Sequence, residues 1–541
     1  MVRLAEAVRP RLARAVTAAK PRVARVTRAV GPRLARITPP APLARFPAIS
    51  PPAARRTWQY TAGAATAGLA LAAGVVTAAG PWDADGQRTA ERQRAAAQER
   101  AGGTDHGPGS GTSAQGPRPA PSAASVLTGL GGTAPTVKSA PAGKAVTGLL
   151  DPLLDSPALG SAHTASVVDV ATGRLLYGTD ADKAMTPAST TKIATAVAAL
   201  SALGADHRLT TRAAFDPHTG ELVLVGGGDP TLTAHGTSGG TSRSSEAESG
   251  GGWASLRTLA RDTAAALKKR GVHKVTLSYD TTLYAGPALH PIGVNDNLAA
   301  VSALMADEGR TDGSTSGPVT RVIDPAKAAA ASFAGFLADN GIKATPPGPS
   351  KATSLATTLA TVSSPPLSAL VERMLTNSDN DIAEALARQT ALATGKSPSF
   401  AGGAAAIEAR LSGLGLPVTG ADFHDGSGLN RDDHLTADLL TALLVKAGSP
   451  AHPELRPVLT GLPVAGFTGT LADRYTDGAA GVVRAKTGTL TGVNTLAGTV
   501  VDRDGRLLAF AFLASDTTDP AAAQAALDHT ATALAGCGCD Y

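Results

Sequence analysis

Aromatic side chains are scarce: Phe, Trp and Tyr make up 3% of the 541 residues. A core of any size must therefore be built from Ala, Leu and Val, and the chain is long enough for more than one domain. Cysteine is almost absent, with only Cys537 and Cys539, in a Gly-Cys-Gly-Cys run. Two thiolates cannot close a zinc site, and no other His or Cys pair has ligand spacing, so neither a metal nor a cofactor is expected. A disulfide between these two would close a very small, strained ring; the alternative is a pair of inert thiols on a frayed end. Acidic residues are almost missing from the head of the chain. Residues 1–57 carry thirteen Arg or Lys and one acid, Glu6, which makes the head +12 and, with the whole at +5, the remainder −7. A basic head on an acidic body argues against reading the pI of 9.2 as nucleic-acid binding, and no nucleic-acid partner is expected.

Within that head Arg9-Pro10-Arg11-Leu12-Ala13-Arg14 recurs as Lys20-Pro21-Arg22-Val23-Ala24-Arg25 and as Gly31-Pro32-Arg33-Leu34-Ala35-Arg36, a period of 11. Each Pro can open a short helix and would break a continuous one. Residues 1–56 read either as a basic surface for anionic lipid or an acidic partner, or as a solvated tail. No charge occurs from Thr57 to Trp82. As a helix, residues 57–82 would extend about 39 Å, more than the roughly 30 Å of a hydrocarbon core. Trp58, Tyr60 and Trp82 flank the stretch, and the Arg-rich side precedes it. The expectation is a single-pass signal anchor at the cell membrane, with residues 1–56 cytoplasmic and the rest outside. The rival is cleavage after Ala78-Ala79-Gly80 and secretion. Residues 83–145, rich in Gly, Pro, Ser and Ala, read as a disordered linker.

The folded part is expected over 146–541. Thr164–Val170 and Arg174–Gly178 read as strands joined by Ala171-Thr172-Gly173. Thr186-Pro187 look like the cap and first residue of a helix running toward Leu203. A hairpin is expected at Asp216–Gly220, and helices at Trp253–Arg270, Ala326–Asn340, Leu367–Met374, Asp381–Ala393 and Pro520–Leu534. Val482–Leu490, Asn494–Val501 and Arg506–Leu513 read as consecutive antiparallel strands. The pattern predicts an α/β (α+β) fold in which an antiparallel sheet joins both ends of the domain.

Three short motifs occur once each, in order: Ser189-Thr190-Thr191-Lys192, Ser378-Asp379-Asn380 and Lys486-Thr487-Gly488. Ser189 and Lys192 at i and i+3 share a helix face. A serine hydroxyl needs a base, and a lysine can serve if burial or a neighbouring cation, here Lys486, lowers its pKa. Ser378 can relay a proton to a leaving amine. Asn380 can hold Lys192 and a substrate amide, and Asp379 is expected to point away and serve structure. Lys486 and the hydroxyls of Thr487 and Thr489 can bind a carboxylate. Gly488 clears the strand edge for a substrate backbone, and the N–H groups of Ser189 and Thr489 form a candidate oxyanion hole. Taken alone, each motif has a structural reading, a helix start, an inter-helix cap and a polar edge strand, which for the first two is the better one; their co-occurrence reverses that.

Four further features weigh less. Gly226-Gly227-Gly228-Asp229-Pro230 lacks the Gly-Lys-Ser/Thr ending of a phosphate loop and reads as a structural loop. Asp425-Gly426-Ser427-Gly428-Leu429 is not a nucleophile elbow and reads as a tight turn near the site. Asp307 and Glu308 read either as partners of Arg310 or, the preferred reading, as surface charges. Gly236–Gly252 reads as a flexible loop.

The three motifs resemble those of the penicillin-binding proteins and serine β-lactamases. With Asn377, the Gly226–Leu232 stretch and Asp425–Leu429, the pattern is most similar to the D-alanyl-D-alanine carboxypeptidase/endopeptidases, the class C low-molecular-mass penicillin-binding proteins. The resemblance implies a β-lactamase/transpeptidase-like domain with a helical subdomain and an inserted region, about 210–354. It also implies attack by Ser189 on peptidoglycan stem peptides ending in D-Ala-D-Ala, and acylation of the same serine by β-lactam antibiotics. Two alternatives stay open: a β-lactamase or esterase on the same scaffold, and a non-catalytic, membrane-anchored cell-wall-binding protein.

Overall fold

The computed structural model describes residues 143–234, 253–475 and 478–538. The expectations for the basic repeats, the span 57–82, almost all of the linker 83–145, the loop 236–252 and a Cys537–Cys539 pair fall wholly or partly outside them. Among the described residues no helix is long and apolar enough to cross a membrane.

The strands are β1 (Ala162–Asp169), β2 (Leu175–Thr179), β3 (Thr210–Asp216), β4 (Glu221–Val225), β5 (Lys274–Asp280), β6 (Lys343–Ala344), β7 (Gly348–Pro349), β8 (Thr357–Ser363), β9 (Val483–Leu490), β10 (Val493–Val501) and β11 (Leu507–Ser515). The helices are α1 (Gly143–Leu154), α2 (Thr191–Leu203), α3 (Leu256–Lys268), α4 (Pro325–Asp339), α5 (Leu367–Asn377), α6 (Asn380–Ala393), α7 (Phe400–Gly413), α8 (Ala437–Gly448), α9 (Arg456–Thr460) and α10 (Pro520–Gly536).

The first sheet runs β2-β1-β11-β10-β9, antiparallel throughout. Pairing of β1 with β11, from Ala162↔Ser515 to Asp169↔Leu508, joins the two ends of the domain. β11 shows why its sequence is apolar without alternation. Ala509, Ala511 and Leu513 face the helical layer, while Leu508, Phe510, Phe512 and Ala514 face α1 and α10. Successive side chains point to opposite faces, so a strand covered on both sides is apolar at every position. The first face packs against α2 and α5–α8. From Thr191 to Leu200 every residue of α2 is buried. Its abundant Ala favours helix and lets neighbouring backbones come close on all sides.

A second sheet, β6-β5-β4-β3-β8 with β7 beside β5, is a separate layer with α3 and α4 and has its own core around Leu222, Leu224, Leu277 and Phe333. β3 and β4 form the expected hairpin. β4 and β5 are parallel, with α3 between them in the chain. This layer is the inserted region, and it extends past residue 354, because β8 pairs with β3. The three glycines of the Gly226–Pro230 loop are demanded by packing: a Cβ on Gly226 would lie 2.4 Å from Ala303 O, and one on Gly227 2.1 Å from Thr210 O. Cys537 is buried against the α10 side of the first sheet rather than on a frayed end.

Candidate active site

The site lies where β9, the edge of the first sheet, meets the start of α2. The expected helix start at Thr186-Pro187 is corrected: the Thr186 hydroxyl donates to Arg431 O (3.2 Å), Ala188–Thr190 form a 3₁₀ turn, and the α-helix begins at Thr191. Ala188 has φ 49°, a conformation costly for a residue with a Cβ. Ser189 follows it, and Lys192 lies one turn further on. Gly488 of β9 is where close approach requires glycine. A Cβ there would lie 2.1 Å from Thr495 Oγ1 and 2.7 Å from Pro187 O. Its role is to seat the strand against the Ser189 turn, rather than to clear the outer edge as expected.

Lys192 Nζ lies 2.9 Å from Ser189 Oγ and donates to Asn380 Oδ1 (2.6 Å) and to Ser427 O (2.7 Å). The first two motifs thus meet at one amine. Ser378 occupies the left-handed break between α5 and α6, at φ 57°. Asp379 caps α6 by accepting from Ile382 N (3.0 Å), as expected of a structural residue. Asn380 uses its carboxamide nitrogen to donate to Asn297 O (2.9 Å) of the inserted layer, so one of its two N–H donors is already engaged.

Lys486 is fully buried and donates to Thr487 O (2.8 Å). It sits behind the cleft wall and does not line the cleft, which corrects the expectation that it grips a carboxylate directly. Burial lowers the Lys192 amine to about 8, against the opposing pull of Asp425, Glu384, Asp379 and Asp433. Burial, followed by the charge of Lys192, pushes Lys486 well below the usual amine value. Two buried amines within each other's field disfavour a double positive charge.

A cleft of about 340 Å³ opens over Ser189. Ser378, Asn380, Thr470, Thr487 and Thr489 line it on the main-domain side, and Asn297, Arg310 and Arg321 on the inserted side. Thr470, from the segment before β9, accepts from the Thr487 hydroxyl (2.9 Å). No motif in the sequence marked it, nor Asn297. The Asp425–Leu429 turn, read only as a turn near the site, supplies the Ser427 carbonyl that holds Lys192. Gly428 has φ 78°, and a Cβ there would lie 1.9 Å from Ala188 O.

Asp307 and Glu308 are engaged in structure rather than solvated as preferred, and the other reading, a pairing with Arg310, holds for Glu308. Glu308 is buried and accepts from Arg310 Nε (2.7 Å) and Arg373 Nη2 (2.7 Å). Asp307 accepts from Thr233 Oγ1 (2.8 Å) and Ala234 N (2.9 Å). Among the described residues two groups of three donors converge as a metal site might: His290, Glu384 and Asp425, and Glu308, Asp379 and Asp381. Sequence spacing had suggested no such groups. Their carboxylates are already engaged by backbone N–H groups, His290 and guanidinium ions.

The fold is that of the penicillin-binding proteins. The structure is similar to penicillin binding protein 4 (dacB) from Haemophilus influenzae, with a TM-score of 0.55 and 22% identity over 70% of this chain and 94% of that one. Fold and site together define a serine enzyme of the penicillin-binding protein class. The chain belongs to the D-Ala-D-Ala carboxypeptidase 3 (S13) family, which it matches over residues 146–318 and 310–534. It is 36% identical to "Carboxypeptidase DacB" of Mycolicibacterium smegmatis, over 71% of this chain and 83% of the relative. It is 31% identical to a "D-alanyl-D-alanine carboxypeptidase" of Actinomadura sp., over 69% of this chain and 81% of the relative.

Proposed function

We propose that this chain is a serine-type D-alanyl-D-alanine carboxypeptidase/endopeptidase that acts on peptidoglycan stem peptides through a Ser189 acyl-enzyme and is acylated at the same oxygen by β-lactams. The observation that carries this reading is the 2.9 Å contact between Ser189 Oγ and the buried amine of Lys192, in a cleft walled by Thr487 and Thr489. Neutral Lys192 takes the hydroxyl proton as Oγ attacks the carbonyl between two D-alanines. The N–H groups of Ser189 and Thr489 receive the oxyanion. The hydroxyls of Thr487 and Thr489 bind the terminal carboxylate, that of Thr487 turning from Thr470 to do so. Ser378 passes the proton to the departing amine of D-alanine. Water then attacks the ester, with Lys192 again as base, and restores the serine.

Residues 57–82 anchor the protein in the cell membrane, and residues 1–56 lie in the cytoplasm. The uncharged stretch and the basic side preceding it support this arrangement, which puts the cleft on the side where peptidoglycan lies. The test of the activity is release of D-alanine from a peptide ending in D-Ala-D-Ala by the purified full-length protein. Ser189→Ala is expected to lower the rate by on the order of 10³-fold or more. Equal release by wild type and variant would contradict the proposal.

A further inference from the structure

The cluster behind Lys192 draws on both layers of the protein. Asp425 opens the turn 425–430 and is saturated by four donors. Its Oδ1 accepts from Ser427 N (2.9 Å) and Gly428 N (2.6 Å), and its Oδ2 from Asn430 N (2.7 Å) and His290 Nε2 (2.9 Å). The tautomer of His290 follows from its other contact: Nδ1 accepts from Ile292 N (3.2 Å), so Nε2 carries the proton and donates it to Asp425. The imidazole is buried and meets the Phe400 ring edge-on at 5.0 Å. Glu384 accepts from Gly426 N (3.0 Å) and Ser427 N (2.9 Å) of the same turn.

The turn reaches α2 and its lysine directly. Its Ser427 carbonyl accepts from Lys192 Nζ, and its Gly426 carbonyl accepts from Thr195 Oγ1 (2.6 Å), one turn along the same helix. The segment that carries His290 also supplies the Asn297 carbonyl that holds Asn380, the second partner of Lys192. Two partners of the Lys192 amine are therefore braced from the inserted layer, one through His290 and Asp425, the other through Asn297.

We propose that His290 is a positioning residue for the reaction: its Nε2–H, through Asp425, fixes the turn that presents the Ser427 carbonyl to Lys192. The inserted layer is by this route part of the machinery that aims the base, in addition to forming one wall of the cleft. The inference rests on the reading of Lys192 as the base that activates Ser189.

The test compares His290→Phe, which keeps a ring against Phe400 and removes the donor, with His290→Gln, which offers an amide N–H at similar reach. The measurement is the rate and concentration dependence of acylation of the full-length protein by a fluorescent penicillin. His290→Phe is expected to lower the limiting acylation rate by ten- to a hundredfold and to change the half-saturating concentration by less than about twofold. His290→Gln is expected to stay within about threefold of wild type. A folded Phe variant that acylates at the wild-type rate, or a Gln variant as slow as the Phe variant, overturns the role of the donor. Should the Phe variant not fold, the Gln variant decides alone: a near-wild-type rate supports the donor, and a loss beyond tenfold overturns it. If wild type itself is not labelled at Ser189, the underlying reading of the base fails first, and the inference fails with it.

Discussion

Lys192 is the residue on which the chemistry turns, because its proton occupancy decides whether Ser189 can react. Its ordinary pKa would leave almost no free amine near neutrality. Burial brings it down to about 8, and the neighbouring carboxylates keep it from falling further. The free amine is the reactive form and accumulates as pH rises through that value. Acylation by a β-lactam is therefore expected to increase with pH up to about 8 and then level, measured as apparent second-order rate against pH. A rate flat from pH 5 to 9 would contradict this assignment. Lys192→Ala is expected to cost about 10²- to 10⁴-fold in acylation, measured on protein shown to be folded by thermal unfolding, since the change also empties a fully buried position. The sequence showed the Ser189–Lys192 pairing because i, i+3 spacing is local. It did not show the Ser427 carbonyl, which lies 235 positions from Lys192 and carries no side-chain signature.

At the scale of elements, the site depends on β9 lying close to the Ser189 turn. Gly488→Ala would force a Cβ to within 2.1 Å of Thr495 Oγ1, so β9 or the turn must shift. The expected result is a loss of about 1–3 kcal/mol of stability together with slower acylation. Unchanged thermal unfolding and an unchanged rate would contradict the packing role assigned to this glycine. β11 and α10 were legible in the sequence because each is a long run of one type, apolar in β11 and Ala-rich in α10, and β9 and β10 because turn residues bound them next to β11. α7 and α8 were not. α7 opens on Phe-Ala-Gly-Gly-Ala, where two glycines dilute the helical pattern, and α8 is buried along most of its length and so lacks a polar stripe. β8 was missed for the opposite reason: it is a half-exposed, Thr-rich strand with no apolar alternation.

On the scale of the whole molecule, the inserted layer and the main domain are held together by buried charge. Glu308 of the insert meets Arg373 of α5, and Arg321 meets Asp381 of α6 at 2.9 Å. Glu308→Ala would leave Arg310 and Arg373 without this carboxylate, and is expected to cost about 3–5 kcal/mol, read as a lowered midpoint of thermal unfolding. A midpoint within a degree of wild type would show that the pairings are replaced by water. Such ties were illegible beforehand: Glu308 and Arg373 are 65 positions apart, and nothing local separates a buried Glu from a solvated one. The three motifs escaped that limit because their residue types constrain one another chemically. The account as a whole requires Ser189 to be the oxygen that becomes acylated. Mass spectrometry of the full-length protein after treatment with benzylpenicillin measures that directly. A penicilloyl adduct on the peptide containing Ser189, absent from Ser189→Ala, is the expected result; an unmodified protein, or an adduct on any other residue, would contradict it.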